Sequence, residues 1–262
     1  MDISRLNVDR GLFWGETSGE VLILSFRSRL LAHVSDLGVK GVLLDYLDLV
    51  ACRDDVKVVV IKQAVTKMRS TDYITFYKSM IGSDFDQLLL ERMYNAVGQF
   101  ILKIANLSKL VVHADSGDVI PLFMNIGLAS DYRIVADNTV FRNPNIELGV
   151  VPKGGSVFFL SKMLGTGIAS RVLLSGEDID AKTASQLGIV DNVVPLDELD
   201  HTALEKARSL TRISTGYAAG IKKLLNYDIK ELACFLEFEN DLLRRLVRSC
   251  DLHNFGRLDA NL

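Results

Sequence analysis

The sequence predicts an α/β protein with an all-helical C-terminal region, and three observations support this prediction. Up to Pro195, apolar runs of strand length alternate with segments of helical spacing. Near the N-terminus a strand, a helix and a second strand follow one another, which is typical of parallel strands joined by a crossover. Beyond Pro195 there is no strand signal. We therefore expect an α/β core over residues 1–195 and a helical region over 196–262.

Length and composition indicate a globular protein. The 262 residues fit one large domain with a substantial core, and 48% of them are hydrophobic while 24% are charged. A formal net charge of −3 and a sequence pI near 5.8 provide no basic field for nucleic acid. We expect no nucleic-acid partner.

The cysteines and the hydropathy pattern bear on the cellular compartment. The chain has three cysteines, Cys52, Cys234 and Cys250, an odd number without metal-ligand spacing. We therefore expect neither a disulfide framework nor a metal site, and a reducing, cytoplasmic environment. No apolar run has the length of a signal sequence core or a membrane helix, so we also expect a soluble protein that does not engage a membrane.

The N-terminal elements alternate in type. Residues 19–26 (GEVLILSF) read as a strand, residues 37–50 as a helix, and residues 54–62 (DDVKVVVIK) as a buried strand. Residues 63–83 are less regular. A long amphipathic helix over 84–106 then leads into a strand at LVVHA.

The stretch after that strand has the features of an anion site. Gly117 and Asp118 form a turn, and Pro121 opens a helical pattern that includes Leu122 and Asn125. Proline suits the first turn of a helix, where its missing N–H would have had no partner. The N–H groups from Leu122 onward are therefore unpaired donors at the positive end of a helix, where a negatively charged oxygen is favoured.

A loop rich in polar residues follows. DYRIVADNTVF reads as two short strands around Asp137-Asn138, and NPNIELGVVPKGG reads as an irregular loop that carries Asn145, Glu147 and Lys153. Chemistry is often placed on such loops.

The tail reads as three helices, over 196–211, 215–228 and 230–250, with one apolar face that needs cover from the core or from a neighbouring subunit. On the last helix, Arg244, Arg245 and Arg248 are balanced by Glu237, Glu239 and Asp241, so we interpret these charges as a solvated or subunit-contact face.

Several of these segments together resemble the crotonase superfamily, also called the enoyl-CoA hydratase/isomerase family. The resemblance covers about residues 19–250 and is most specific in ELGVVPKGGSVFFLSKMLG and SGEDIDAKTASQLGIVDNVVP. It implies a crotonase-like core of two stacked sheets wound as a ββα superhelix, with a C-terminal helical trimerisation region. It further implies a homotrimer or a dimer of trimers, and lyase or isomerase chemistry on acyl-CoA thioesters, as in fatty acid metabolism. The CoA thioester is then the substrate, and no separate cofactor is expected.

Members of the family polarise the thioester carbonyl with two backbone N–H groups, an oxyanion hole. Matched position by position, these donors are the N–H groups of Thr71 and Leu122, with Asp72 on the family's aspartate. The sequence departs from the family at both turns, because Arg69-Ser70-Thr71 replaces small residues and Pro121-Leu122-Phe123 replaces a run of glycines. We expect Phe123 to narrow the approach of an acyl group.

The positions of the catalytic acid and base depart from the family more than the two oxyanion turns do. Similar hydratases carry two glutamates, which fall here on Asn125 and Asn145. An amide neither takes nor delivers a proton at neutral pH. Conventional hydratase activity is therefore not expected, and the two amides either orient a polar group or are remnants of a former site.

Lys153 occupies a position where relatives of other activities carry a catalytic carboxylate. It either pairs with a substrate carboxylate, favours decarboxylation by holding an enolate, acts as a base, or is a surface lysine on a flexible loop. Asp118 and Glu147 are weaker candidates for a relocated carboxylate, and Arg27 and Arg29 for contacts with CoA phosphates.

Three functions follow from this reasoning. The first is an acyl-CoA enzyme with isomerase, decarboxylase or C–C hydrolase chemistry. The second is a catalytically silent CoA-binding homologue, and the third is a carrier-protein-linked enzyme of polyketide type.

Overall fold

The structure is a computed structural model that describes residues 6–27, 37–63, 69–81, 87–226 and 228–248. Its strands are β1 (Val8–Asp9), β2 (Phe13–Ser18), β3 (Val21–Phe26), β4 (Val58–Gln63), β5 (Leu110–Asp115), β6 (Asp118–Val119), β7 (Tyr132–Ala136), β8 (Val140–Phe141), β9 (Ile179–Asp180) and β10 (Asn192–Val194). Its α-helices are α1 (Leu37–Ala51), α2 (Ser70–Ile81), α3 (Gln87–Ala105), α4 (Pro121–Leu128), α5 (Asn145–Leu148), α6 (Ser156–Leu164), α7 (Thr166–Ser175), α8 (Ala181–Leu187), α9 (Leu199–Leu210), α10 (Thr215–Leu225) and α11 (Ile229–Arg248), and a 3₁₀ turn covers Leu196–Glu198.

The strands form two sheets. Seven strands run in the order β1-β2-β3-β4-β5-β7-β10, and the smaller sheet has the order β6-β8-β9. From β3 to β10 the neighbours in the large sheet are parallel, whereas β1, β2 and β3 pair antiparallel. The predicted parallel pair is confirmed, with Val21 opposite Val58. The mixed α/β class and the helical C-terminal region are confirmed as well.

Both faces of the large sheet are buried. Val59 and Ile61 of β4 point into the larger core cluster, while Val58 and Val60 contribute to a second cluster that Ala203 of α9 helps to cover. Strands covered on both faces are nearly continuous hydrophobic runs, which explains why VVVI in β4 has no polar alternation.

One local prediction was wrong and one strand was missed. Residues 63–83, described as less regular, contain helix α2. Strand β2, with the sequence FWGETS, was not predicted. The two short strands predicted around Asp137-Asn138 are confirmed, and β7 joins the large sheet while β8 pairs in the small one.

The three predicted tail helices are confirmed within a few residues. Helix α9 packs against β3, β4, β5 and β7, and α11 packs against α3. The apolar face of α11 is buried through Leu232, Leu236 and Leu243. Part of the cover that this face needs therefore comes from the chain's own core. None of the helices within the described ranges is long and apolar enough to cross a lipid bilayer.

Candidate functional site

Helix α4 presents the N–H of Leu122 in its first turn. Pro121 is the first helical residue, and the first helical bonds are donated by Phe123 and Met124 to the carbonyl of Ile120, at 3.0 and 3.2 Å. Within the described part of the chain, no main-chain acceptor receives the N–H of Leu122. The side chains of Leu122 and Phe123 are buried in the core, where the Phe123 ring lies 6.3 Å from that of Phe26.

Helix α2 presents Thr71 in the same way. The amides of Asp72 and Tyr73 donate to the carbonyl of Arg69, and the Arg69 amide donates to the Asp72 carboxylate at 3.2 Å. Thr71 is therefore the second residue of α2, as Leu122 is the second residue of α4. Its N–H likewise has no main-chain acceptor among the residues described. Both predicted donors lie at the positive end of a helix.

Asn125, one turn further along α4, is completely buried and bonded at both ends of its amide. Its Nδ2 donates to the main-chain oxygen of Lys153 at 2.5 Å, and its Oδ1 accepts from Oγ of Ser156 at 2.5 Å. Asn125 thus connects α4 to the loop that leads into α6.

Asn145 begins the short helix α5 and is 8% exposed. Its Nδ2 donates to Oδ1 of Asn143 at 3.3 Å. Asn145 and Ser156 both line a cavity of about 30 Å³, which is large enough to hold a water molecule. Ser156 thus contacts Asn125 and lines the same cavity as Asn145.

Lys153 is buried, with 6% of its surface exposed, so of the alternatives considered for it a surface lysine is wrong. Its Nζ lies 3.1 Å from Oε2 of Glu239 on α11 and 5.9 Å from the centre of the Tyr94 ring. Burial lowers the pKa of Lys153, and the Glu239 carboxylate opposes part of that shift.

Glu239 also accepts hydrogen bonds from two consecutive amides. Gly154 N–H donates at 2.8 Å and Gly155 N–H at 3.1 Å, each from a left-handed residue with φ of +96° and +84°. Successive N–H groups in such a turn form a concave anion-binding site. Glu239 is 3% exposed, so its interpretation as part of a solvated or subunit-contact face was also wrong.

Buried tyrosines lie near this ion pair: Tyr94 beside Lys153, and Tyr77, which contacts Tyr73, near Glu239. The rings of Tyr73 and Tyr77 on α2 lie 4.7 Å apart, and Tyr94 projects from α3. Burial raises the pKa of Tyr77 to about 12 and that of Tyr94 well above its usual value, and the Glu239 carboxylate adds to both shifts. We call Tyr73, Tyr77, Tyr94, Asn125, Lys153 and Glu239 the buried polar cluster.

The remaining candidates lie at the surface or outside the described ranges. Arg27 is ion-paired with Asp9 at 2.6 Å and lies over Trp14, and Arg29 falls outside the described residues. Asp118 is ion-paired with Arg142, and Glu147 with Lys78. Neither Asp118 nor Glu147 therefore supplies a buried carboxylate in place of the two glutamates of similar hydratases.

Glu239 is the residue that sequence reasoning missed. The sequence does contain a signal for it: Glu239 lies three residues after Leu236 and four before Leu243, on the apolar face of its helix. A charged residue on such a face requires a buried partner. No group of three or more metal-ligating side chains is found within the described ranges.

Comparison with known proteins gives consistent results. The sequence profile of the enoyl-CoA hydratase/isomerase family matches residues 49–254. The carnitinyl-CoA dehydratases of Citrobacter koseri and of Escherichia coli K12 are each 33% identical to this chain over 124 residues, which is 47% of the chain and 48% of the relative. In these matches the chain spans about half the length of the curated relatives.

Solved structures share the fold. A crystal structure of enoyl-CoA hydratase from Bacillus halodurans superimposes with a TM-score of 0.81 at 19% identity, covering 95% of this chain and 100% of that one. An enoyl-CoA hydratase from Mycobacterium avium subsp. paratuberculosis K-10 gives a TM-score of 0.76 at 21% identity, with coverage of 95% and 99%.

Proposed function

Because the chain belongs to the enoyl-CoA hydratase/isomerase family, we propose that it binds an acyl-CoA thioester and stabilises the thioester enolate with the N–H groups of Thr71 and Leu122. The observation that carries this proposal is the equivalent position of the two residues. Each is the second residue of a helix, and among the described residues each N–H precedes the first helical hydrogen bonds. Preorganised donors of this kind stabilise negative charge as it develops on an oxygen.

The surroundings of the two helices support the same proposal. Helix α2 contributes Tyr73 and Tyr77 to the buried polar cluster, and α4 contributes Asn125. Tyr94 in this cluster is 1% exposed, and its hydroxyl has no hydrogen-bond partner among the described residues. A buried hydroxyl without a partner is costly unless a ligand or water satisfies it.

The reaction proposed is not a conventional hydration. Hydration needs a group that takes a proton from water and a group that delivers one to carbon. Asn125 does neither, and both polar atoms of its amide are already bonded to Lys153 and Ser156. Decarboxylation forms its enolate by loss of CO2 and needs neither group, whereas isomerisation and C–C bond hydrolysis, which also pass through an enolate, need a base that Asn125 does not supply.

The oligomeric state and the cellular compartment are part of the same proposal. We propose a homotrimer or a dimer of trimers in the cytoplasm, with residues 196–262 as the trimerisation region. In support, Tyr217, Leu224 and Leu225 of α10 are between 65% and 72% exposed, which leaves apolar surface for a neighbouring subunit. Arg27 is retained as a candidate for the CoA phosphates.

Calorimetry and turnover assays with crotonyl-CoA and malonyl-CoA test the proposal. We expect binding of at least one thioester, no hydration of crotonyl-CoA, and a non-hydratase product from at least one member of a wider thioester panel. Lys153→Ala should abolish that turnover and leave binding measurable, whereas Lys78→Ala, which removes an exposed lysine, should change neither. If no thioester binds, the proposal is wrong.

A second candidate is a catalytically silent CoA-binding homologue. It is favoured by the bonding of Asn125, Lys153 and Glu239, which are all engaged by the chain itself. Thioester binding without conversion would support this candidate. Adding an acyl-pantetheine carrier protein to the panel tests the third, carrier-linked alternative.

A further inference from the structure

The buried polar cluster contains one ion pair, formed between a loop and a helix that are distant in sequence. Lys153 lies in the loop before α6, and Glu239 lies on α11, 86 residues later. Their side chains are 5% and 4% exposed. Removing one member of a buried pair leaves the other as an uncompensated charge, so each residue determines the state of the other.

The loop around Lys153 is fixed at several points. The main-chain oxygen of Lys153 accepts a hydrogen bond from Asn125, and the Nζ of Lys153 is paired with Glu239. The next two amides, those of Gly154 and Gly155, donate to the same carboxylate. A side chain at Gly154 would displace its surroundings, because its Cβ would lie 2.7 Å from Nδ2 of Asn125.

Glu239 itself is poorly placed to react. Its Oε2 accepts from Lys153 and Gly154, and its Oε1 accepts from Gly155. Both carboxylate oxygens are therefore engaged by the chain. A general base needs an oxygen that can accept the proton it takes, and in Glu239 both oxygens already accept hydrogen bonds from the chain.

We infer that Glu239 is a positioning residue, whose carboxylate keeps the Lys153 ammonium charged and stationary so that Lys153 acts on a bound thioester as a fixed cation and not as a proton acceptor. The identity of the substrate in this inference rests on the proposed function. The position of the Lys153 ammonium rests on the contacts of Glu239. Of the roles considered for Lys153, it selects electrostatic stabilisation of an enolate. The substrate class is then a thioester whose acyl group develops negative charge during the reaction.

Near the ion pair of Lys153 and Glu239, the other titratable groups of the buried polar cluster lie on α2 and α3. Tyr77 on α2 and Tyr94 on α3 stay neutral near pH 7, because burial raises the pKa of both. Asn125 on α4 is not titratable. Glu239 on α11 is therefore the group in the buried polar cluster that supplies a negative charge to balance Lys153.

The test measures the protonation of Lys153 directly and needs no substrate. The ¹³Cε chemical shift of Lys153 is followed as a function of pH, with the resonance assigned by its loss in Lys153→Arg. We expect the wild type to carry a protonated Lys153 at pH 7. In Glu239→Gln the midpoint should fall by about one pH unit or more, a roughly tenfold change in proton affinity. Glu237→Gln removes an exposed carboxylate from the same helix and should leave the midpoint unchanged.

Further measurements separate the possible outcomes. Glu239→Asp retains the charge one methylene further away and should give an intermediate midpoint, which covers the case in which Glu239→Gln does not fold. With a thioester that is turned over, Glu239→Gln should lower kcat at least tenfold with little change in KM, and its optimum should move to lower pH. An unshifted midpoint, or a neutral Lys153 at pH 7 in the wild type, overturns the inference. Absence of thioester binding overturns the proposed function instead.

Discussion

The hydroxyl of Ser156 donates a hydrogen bond of 2.5 Å to Oδ1 of Asn125, and this bond connects the first turn of α6 to the middle of α4. The other end of the same amide holds the carbonyl of Lys153. Asn125 therefore has a structural role that a glutamate could not reproduce, because a carboxylate has no N–H for the Lys153 carbonyl. Four predictions concern these contacts and other buried polar groups of the protein.

Asn125→Asp should destabilise the protein by about 3 kcal/mol, because it replaces a donor with a charge in a completely buried position. Urea unfolding near neutral pH measures the loss. Asn138→Asp is the matched control, since Asn138 is exposed and its side-chain bond within the described ranges is accepted by Oδ1 from the amide of Gly117. Equal stability of the two variants would contradict the role assigned to Asn125.

Gly154→Ala should be more destabilising than Gly188→Ala. Both glycines have positive φ, +96° and +79°, so both alanines carry a backbone cost of about 1 kcal/mol. Only at Gly154 does the new Cβ meet another atom, Nδ2 of Asn125 at 2.7 Å. Thermal unfolding of the two variants isolates this clash, and the expectation fails if Gly188→Ala loses as much stability as Gly154→Ala.

Stability should decline above pH 10. Burial raises the pKa of Tyr77 from its usual value of 10.0 to about 12, so as pH rises the unfolded chain releases this proton first. The resulting stability is fully present below pH 10 and is lost as pH approaches 12, by roughly 2 kcal/mol for Tyr77.

The comparison with Tyr77→Phe isolates this effect. Unfolding free energies between pH 9 and 12 should fall less steeply in Tyr77→Phe than in the wild type, while Tyr217→Phe, at an exposed tyrosine, should follow the wild type. Identical slopes in all three proteins would be inconsistent with a buried neutral Tyr77.

Asp131→Asn should cost more than Lys222→Met. Lys222 is 5% exposed, and its Nζ lies 2.7 Å from Oδ2 of Asp131 and 3.1 Å from the carbonyl of Lys109. Removing the carboxylate leaves a buried ammonium without its counter-charge, a loss of about 3 kcal/mol, whereas methionine removes the charge itself. Urea midpoints of both variants and of the double variant decide the order. A larger loss of stability for Lys222→Met than for Asp131→Asn would contradict this explanation.

Much of the fold could be predicted because the signals were local. The continuous apolar run VVVI predicts a strand buried on both faces, which is β4. The helical spacing of apolar residues over 84–106 predicts a helix buried on one face, which is α3. Pro121 correctly predicted the start of α4. Strand β2 escaped prediction because its formation depends on full-length pairing with β3, from Phe13 opposite Phe26 to Ser18 opposite Val21.

The site was less accessible to sequence reasoning. Lys153 was identified as a candidate, but its burial depends on a helix that begins more than 70 residues later. Glu239 was grouped with neighbouring surface charges, although its spacing from Leu236 placed it on the apolar face of α11. Contacts between elements far apart in sequence are not encoded in a local window, and here they determine the charge around Lys153.

The reach of Glu239 to Gly154, across 85 residues, also bears on how the molecule is made. During synthesis the glycine turn leaves the ribosome before its carboxylate does, so water solvates the two amides and the lysine until α11 is made. Contacts across so long a stretch of chain form slowly. We therefore expect the turn that holds Lys153 to be completed only after α11 has been made.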